Sequence, residues 1–264
     1  MRTMDDLALA IAAARTGGAI VAAGFGRHAA AAFKRRNDPV TEVDRAAEAA
    51  ITSLLATHRP DDAVLGEEGT ARAGSTRLWL IDPLDGTVNF IHGLSPVSVS
   101  IALYDGDQPL VGVVLDPIHD ELFVAVAGGG ATLNDVPIAV SATSDLRQAL
   151  VVTGFPYDHH EHADAYVATL AGMLRRVNGI RRLGSAALDL CYVAAGRLDA
   201  SWEYDLKPWD IAAGLLMVTE AGGKATDPSG SAMTPLARHI VTSNGILHEA
   251  VRRVVAATFP DHLR

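Results

Sequence analysis

Asp82 and Asp85, within the stretch LWLIDPLDGTVNF from Leu78 to Phe90, are the residues whose type and spacing point most directly to chemistry. Leu78 to Ile81 is an apolar run that reads as a buried strand and delivers Asp82 to its end, where Pro83 is expected to stop the ladder. Gly86 and Thr87 then open what reads as a short helix, whose free N–H groups would face an anion. Carboxylates repel phosphate, so two of them beside an anion-sized hole make sense only with hard cations between, magnesium first among them. On these residues alone the alternative stays open that both acids merely cap the following turn.

A second apolar run, Ala63 to Gly66, also ends in acids, Glu67 and Glu68. Paired glutamates on a loop are usually just solvated, but neighbouring strands can bring two such ends together. Acids converging on one point would push each other's pKa values upward unless a cation neutralises them. Further along, Glu203 ends a short strand, and Asp210 lies in the first turn of a helix opened by Pro208-Trp209, where it could serve the helix dipole or a cation.

The elements that must position these acids follow from periodicity. Leu7, Ile11, Ala14, Val21 and Phe25 fall at helical spacing, so residues 4 to 32 read as one helix or two joined at Gly17-Gly18. Lys34-Arg35-Arg36 and the Asp38-Pro39 pair mark a loop, readable as a mobile basic lid from Lys34 to Asn37 or as a solvated connection. Thr41 is placed to cap a helix running to about His58, with Asp44 in its first turn. Residues 96 to 140 alternate strand-like runs with turns, a mainly antiparallel meander that reads as scaffold. Strands near 149–155 and 180–185, a helix at 186–197 capped by Ser185, a helix at 208–221, a strand at 239–242 and a final amphipathic helix complete the chain. His159, His160 and His162 have no Cys or second His pair nearby at zinc spacing and read as an exposed helix start. His92 reads as a packing residue.

A chain of 264 residues, 49% apolar with net charge −9, is expected to be a globular protein for which nucleic acid is not the main partner. The lone Cys191 excludes an intrachain disulfide and fits a reducing compartment. The N-terminal Ala-rich segment carries Asp5, Asp6 and Arg15, so neither a signal peptide nor a membrane span is expected, and the location expected is cytoplasmic. Residues 1–264 read as a single catalytic domain, with a possible seam at 141–145 between lobes 1–145 and 146–264.

Five ordered blocks, DPVTEVD (38–44), GEE (66–68), WLIDPLDGTVNF (79–90), LGSAA (183–187) and WDIAAG with EAGG (209–214, 220–223), together resemble the inositol monophosphatase family. The resemblance implies an α+β fold layered α-β-α-β-α, of the inositol monophosphatase and fructose bisphosphatase type. It also implies a homodimer and lithium-sensitive hydrolysis of small phosphate esters with two or three Mg2+ ions. Carried over by motif, Glu67, Asp82, Asp85, Asp210 and the Leu84 carbonyl are the implied metal ligands. Thr87 and Asp44 are the implied water-activating pair, with Glu68 behind them. The Gly86 and Thr87 amides would hold phosphate. Gly184, Ser185, Ala186 and Glu203, with Asp85 and Asp210, would meet the alcohol part of the substrate. Glu203 favours a polyol, hence inositol 1-phosphate ahead of histidinol phosphate or fructose bisphosphate. A non-catalytic sensor of phosphate esters is the rival of another class.

Overall fold

The computed structural model describes residues 4–27, 31–36, 38–234 and 236–263. Five layers alternate helix and sheet, the α+β arrangement expected. The outer layer is α1 (Asp6–Gly24) against α2 (Glu42–His58), preceded by a hairpin of β1 (Ala31–Arg35) and β2 (Asp38–Thr41). Asp5 caps α1, its carboxylate accepting from the Ala8 N–H at 2.7 Å. Thr41 caps α2, accepting from the Val43 N–H at 3.1 Å.

The first sheet holds β3 (Ala63–Gly66), β4 (Ala71–Arg72), β5 (Arg77–Asp85), β6 (Ser98–Asp105), β7 (Gln108–Asp116), β8 (Glu121–Val126), β9 (Gly130–Leu133) and β10 (Val136–Pro137), in the order 10-9-8-7-6-5-3-4. It is antiparallel except for β3 beside β5. Short α3 (Thr87–Ile91) follows β5 and packs toward β2, with Phe90 in the core under α1 and α2, while the middle helices α5 (Ala186–Ala194) and α6 (Pro208–Glu220) cover the sheet's far side. The second sheet contains β11 (Leu150–Thr153), β12 (Gly179–Arg181), β13 (Ala200–Glu203), β14 (Lys224–Thr226) and β15 (Ile240–Ser243), ordered 12-11-13-15-14. Helices α4 (Ala163–Leu174) and α7 (His248–Ala257) cover its outer face.

The central strands of the first sheet, β5 to β7, are mostly apolar because helices bury both faces. Trp79, Ile81, Ile101, Leu103 and Val113 join the core under α1 and α2. Their neighbours Leu80, Ala102, Tyr104 and Val114 join the core around α5 and α6. This period-two division is what a doubly covered sheet imposes on side chains. The second core also takes in Val152, Leu188, Leu216 and Ile240, so it runs across the seam expected at 141–145.

Three expectations are corrected. The first helix ends at Gly24, not near residue 32: Ala31 and Phe33 pair with Thr41 and Pro39 as strand, so tertiary pairing overrides the helix propensity of an alanine run. The segment expected to be a basic loop is largely the β1–β2 hairpin, with Asn37 of the proposed lid outside the described residues. Pro83 does not end the strand. Pairing passes from Asp82 with Ser100 to Asp85 with Ser98, so Pro83 sits in a bulge, where its missing N–H leaves no ladder bond unmade.

Helix α1 is long and apolar enough to cross a membrane, with mean hydropathy 1.6. Here Leu9, Ala10, Ala13, Ala14, Gly17, Gly18 and Val21 form its buried face, against α2 and strands β6 and β7. In the middle layer, α5 and α6 touch at Gly214, where a Cβ would lie 2.6 Å from the Leu190 Cβ. Gly214→Ala should therefore force the helices apart and destabilise the protein by about 1–3 kcal/mol. The check is a lower urea midpoint with an unchanged slope.

Candidate active site

Parallel pairing of β3 and β5 sets Gly66 beside Ile81, so the residues that follow, Glu67 and Asp82, emerge side by side at the carboxyl ends of the two strands. The Glu67 N–H donates to the Ile81 carbonyl at 3.1 Å and locks that register. Asp82 is 2% exposed. The β5 bulge then carries the chain through Leu84, whose N–H donates to Asp82 Oδ1 at 3.0 Å, to Asp85. Gly86 follows with φ +91°, a left-handed turn that favours glycine, and a Cβ there would press on the Pro96 and Gly184 carbonyl oxygens at 3.1 and 3.2 Å.

Three site acids use one carboxylate oxygen to hold a helix N-terminus. Asp44 Oδ2 accepts from the Thr41 N–H at 2.8 Å and the Thr41 hydroxyl at 2.5 Å, in the capping box of α2. Asp85 Oδ2 accepts from the Ser185 hydroxyl at 2.6 Å and the Ala187 N–H at 2.8 Å, at the start of α5. Asp210 Oδ2 accepts from the Lys207 N–H at 2.7 Å, at the start of α6. Asp210 thus serves the start of its own helix, as one reading of the sequence had it, and Asp85 holds the start of α5, not the turn that follows it. Each dipole favours the anion it holds, typically by 0.3–1 kcal/mol.

Burial is the chief influence on each of these carboxyl groups, and repulsion by neighbouring acids adds to it at Glu67, Asp82 and Asp210. Glu67 is pushed up to about 7 by burial, against the pull of the Lys34 ammonium and with Glu68 adding to the rise. Asp82 is raised well above the usual carboxylate range by burial, then by Glu67, Asp85 and Asp210 in that order. Asp210 is likewise raised by burial and Glu67. Asp85 is raised by burial, while its bonds to Ser185 and Ala187 pull it down. A buried set of mutually repelling oxygens, with no nitrogen or sulfur among them, fits a hard divalent cation such as Mg2+. Glu67, Asp82, Asp85 and Asp210 would hold it, together with the Leu84 carbonyl.

The Thr87 hydroxyl lies 3.0 Å from both Asp44 Oδ1 and the Leu84 carbonyl. It has one proton, and the carboxylate is the stronger acceptor, so the bond to Asp44 leaves the Leu84 oxygen its lone pairs. Glu68 faces Lys34, whose ammonium reaches Glu68 Oε1 at 2.6 Å and Glu67 Oε1 at 3.0 Å. Gly184, Ser185, Ala186 and Glu203 line the cleft beyond the acids, with Gly86 and Thr87 on its floor. Ser185 is fully buried and its hydroxyl is committed to Asp85, so what it offers the cleft is the orientation of that acid.

Four further residues belong to the site. Glu48, 3% exposed on α2, accepts from the Glu68 N–H at 2.7 Å and the Thr70 N–H at 3.0 Å, holding the loop that carries Glu67. Its signal in the sequence was its place one turn after Asp44. Tyr157, Arg182 and Asp189 line the cleft from elements distant in the chain, and no local pattern points to them.

Residues 4–262 match the profile of the inositol monophosphatase family. The chain belongs to that family. It is 43% identical over 253 residues to a Nus factor SuhB of Pasteurella multocida, covering 94% of this chain and 92% of that protein. It is also 43% identical over 225 residues to an inositol-1-monophosphatase of Rhizobium meliloti, covering 84% and 85%. Among solved structures it superposes on the IMPase of Thermotoga maritima with TM-score 0.89 at 38% identity, covering 97% of this chain and 98% of that one. The extragenic suppressor protein SuhB of Bartonella henselae gives TM-score 0.90 at 39% identity, covering 94% and 96%.

On the hairpin, the Lys34 ammonium lies against Glu67 and Glu68 as a counter-charge to the acids. Adding Mg2+ at a hundredfold excess over its Kd should stabilise the protein by about 2.7 kcal/mol, read as a higher melting temperature. Asp82→Asn should abolish most of that rise. Lys34→Ala should lower the melting temperature in chelator and enlarge the rise on adding Mg2+, because an ammonium that competes for Glu67 is gone. Equal Mg2+ responses in wild type and Lys34→Ala would show that the contact does not oppose metal.

Proposed function

We propose that this protein hydrolyses phosphate monoesters of sugar alcohols, with myo-inositol 1-phosphate the leading substrate, by direct attack of water. The Thr87–Asp44 hydrogen bond beside the four buried acids carries this reading. With its proton given to Asp44, the Thr87 oxygen is left as an acceptor that can orient a water molecule and draw on its proton. Burial raises the pKa of Asp44, which makes it a better proton acceptor, although the Thr41 bonds hold it back. Glu68 stands beside this pair. In this reading the Gly86 and Thr87 amides hold phosphate oxygens, supported by their position at the opening of α3 beside the cleft. When bound, Mg2+ would lower the pKa of water and neutralise charge on the phosphoryl and departing oxygens, with two or three ions the expected number.

Glu203 supports a polyol as the alcohol part. It is 5% exposed, and its Oε1 has no hydrogen-bond partner among the described residues, so a substrate hydroxyl would supply one. Its pKa is pushed up to about 8, first by burial and then by Asp85. Gly154 is what lets it fit: a Cβ there would fall on the Glu203 carboxylate. Lithium sensitivity, a homodimer and a cytoplasmic location are proposed with this reading on the strength of the family resemblance and the single cysteine.

The deciding assay is phosphate release from inositol 1-phosphate, fructose bisphosphate, histidinol phosphate and adenosine bisphosphate, with and without Mg2+. Fastest release from the inositol ester, dependent on Mg2+, is the expected result. Asp44→Asn and Thr87→Ala should each lower kcat by roughly 10²–10⁴ with little change in KM, the usual worth of positioned proton transfer. Release from none of the esters would favour a binding role of the kind the name Nus factor attaches to some relatives, and would sink the hydrolytic reading.

A further inference from the structure

We propose that Asp158, His162 and His262 form a second metal site, outside the acidic cleft, that takes a borderline divalent ion of the Zn2+ class. The three meet from separate places: Asp158 in the turn after β11, His162 at the N-cap of α4, and His262 in the short helical turn Asp261–Leu263. One ligand atom from each lies within 4.8 Å of the others. Asp158 Oδ2 is 3.9 Å from His162 Nε2 and 3.8 Å from His262 Nε2. The two imidazole rings stack at 3.6 Å with 15° between their planes.

A buried phenol organises the group from behind. Tyr166, 2% exposed, donates its hydroxyl proton to Asp158 Oδ1 at 2.8 Å. Its oxygen, 3.1 Å from His262 Nε2, then accepts from that nitrogen. A carboxylate steered by a buried donor is the supporting arrangement that metal-bound carboxylates ordinarily have. To take an ion, the stacked rings must turn their nitrogen lone pairs toward Asp158 Oδ2, and His262 must yield the proton it shares with Tyr166.

Two imidazoles and one carboxylate suit Zn2+ or a similar ion, with a position left for water, and suit Mg2+ poorly. The cleft acids offer oxygen alone. The chain therefore holds two sites that sort metals by ligand chemistry. The second has a consequence for the first, because Asp158 directly follows Phe155, Pro156 and Tyr157, which line the cleft. An ion at Asp158 would tie that wall to the C-terminal turn.

The test is calorimetric titration of the full chain with Zn2+ in saturating Mg2+, so that the cleft is already filled, with Co2+ absorption as a second readout. Wild type should bind one Zn2+ and give Co2+ bands of a nitrogen-containing site. Tyr166→Phe should weaken Zn2+ binding by about ten- to a hundredfold, and His162→Ala or His262→Ala should weaken it at least as much. Asp82→Asn, in the cleft, should leave it unchanged. Undiminished Zn2+ affinity in both histidine variants would overturn the proposal, as would loss of binding in Asp82→Asn alone. The Co2+ spectrum of wild type guards against a variant that misfolds: a spectrum with oxygen ligands only also overturns it.

Discussion

Everything in the cleft depends on holding several carboxylates together in a place where water cannot separate their charges. Left alone they would repel one another and resist burial. The chain offsets this with helix N-termini: α2, α5 and α6 each present unpaired N–H groups, and Asp44, Asp85 and Asp210 each take some of them with one oxygen. Glu67 and Asp82 have no helix of their own and stand instead on adjacent strand ends, with Lys34 against Glu67. The remaining repulsion is what a divalent cation would relieve there.

The layering supplies the rigidity this arrangement needs. Helices α5 and α6, whose starts hold Asp85 and Asp210, lie between the sheets and share one packed core with Leu80 and Ala102 of the first sheet and Val152 of the second. Close approaches such as Gly214 on Leu190 leave these helices little room to shift. A loop-borne cluster of acids would spread under its own charge. This one is clamped between two sheets.

The departures from expectation fall where local preference and function compete. Pro83 was expected to end the strand; it forms a bulge instead, and across the bulge Leu84 donates its N–H to Asp82 while Asp85 comes near enough to repel it. The alanine-rich stretch before Lys34 favours helix, yet it pairs as a hairpin that lays Lys34 on Glu67 and Glu68. In both places pairing with a partner distant in the chain outweighs the preference of the local sequence.

What the sequence determined by itself was the local chemistry: acids at the ends of apolar runs, Thr41 and Ser185 as caps, a strand-turn-helix at Asp82 to Phe90, and the antiparallel meander. Each of these is decided by neighbours a few residues away, through periodicity and the needs of helix ends, and each could be read. Tertiary structure alone decided that Asp210 meets Asp82, that Glu48 braces the Glu67 loop, that Asp189, Arg182 and Tyr157 wall the cleft, and that His262 returns to His162. Those meetings depend on which strands pair and which helices pack between them, and the free energy that selects them is spread over the buried core, with no local pattern to announce it.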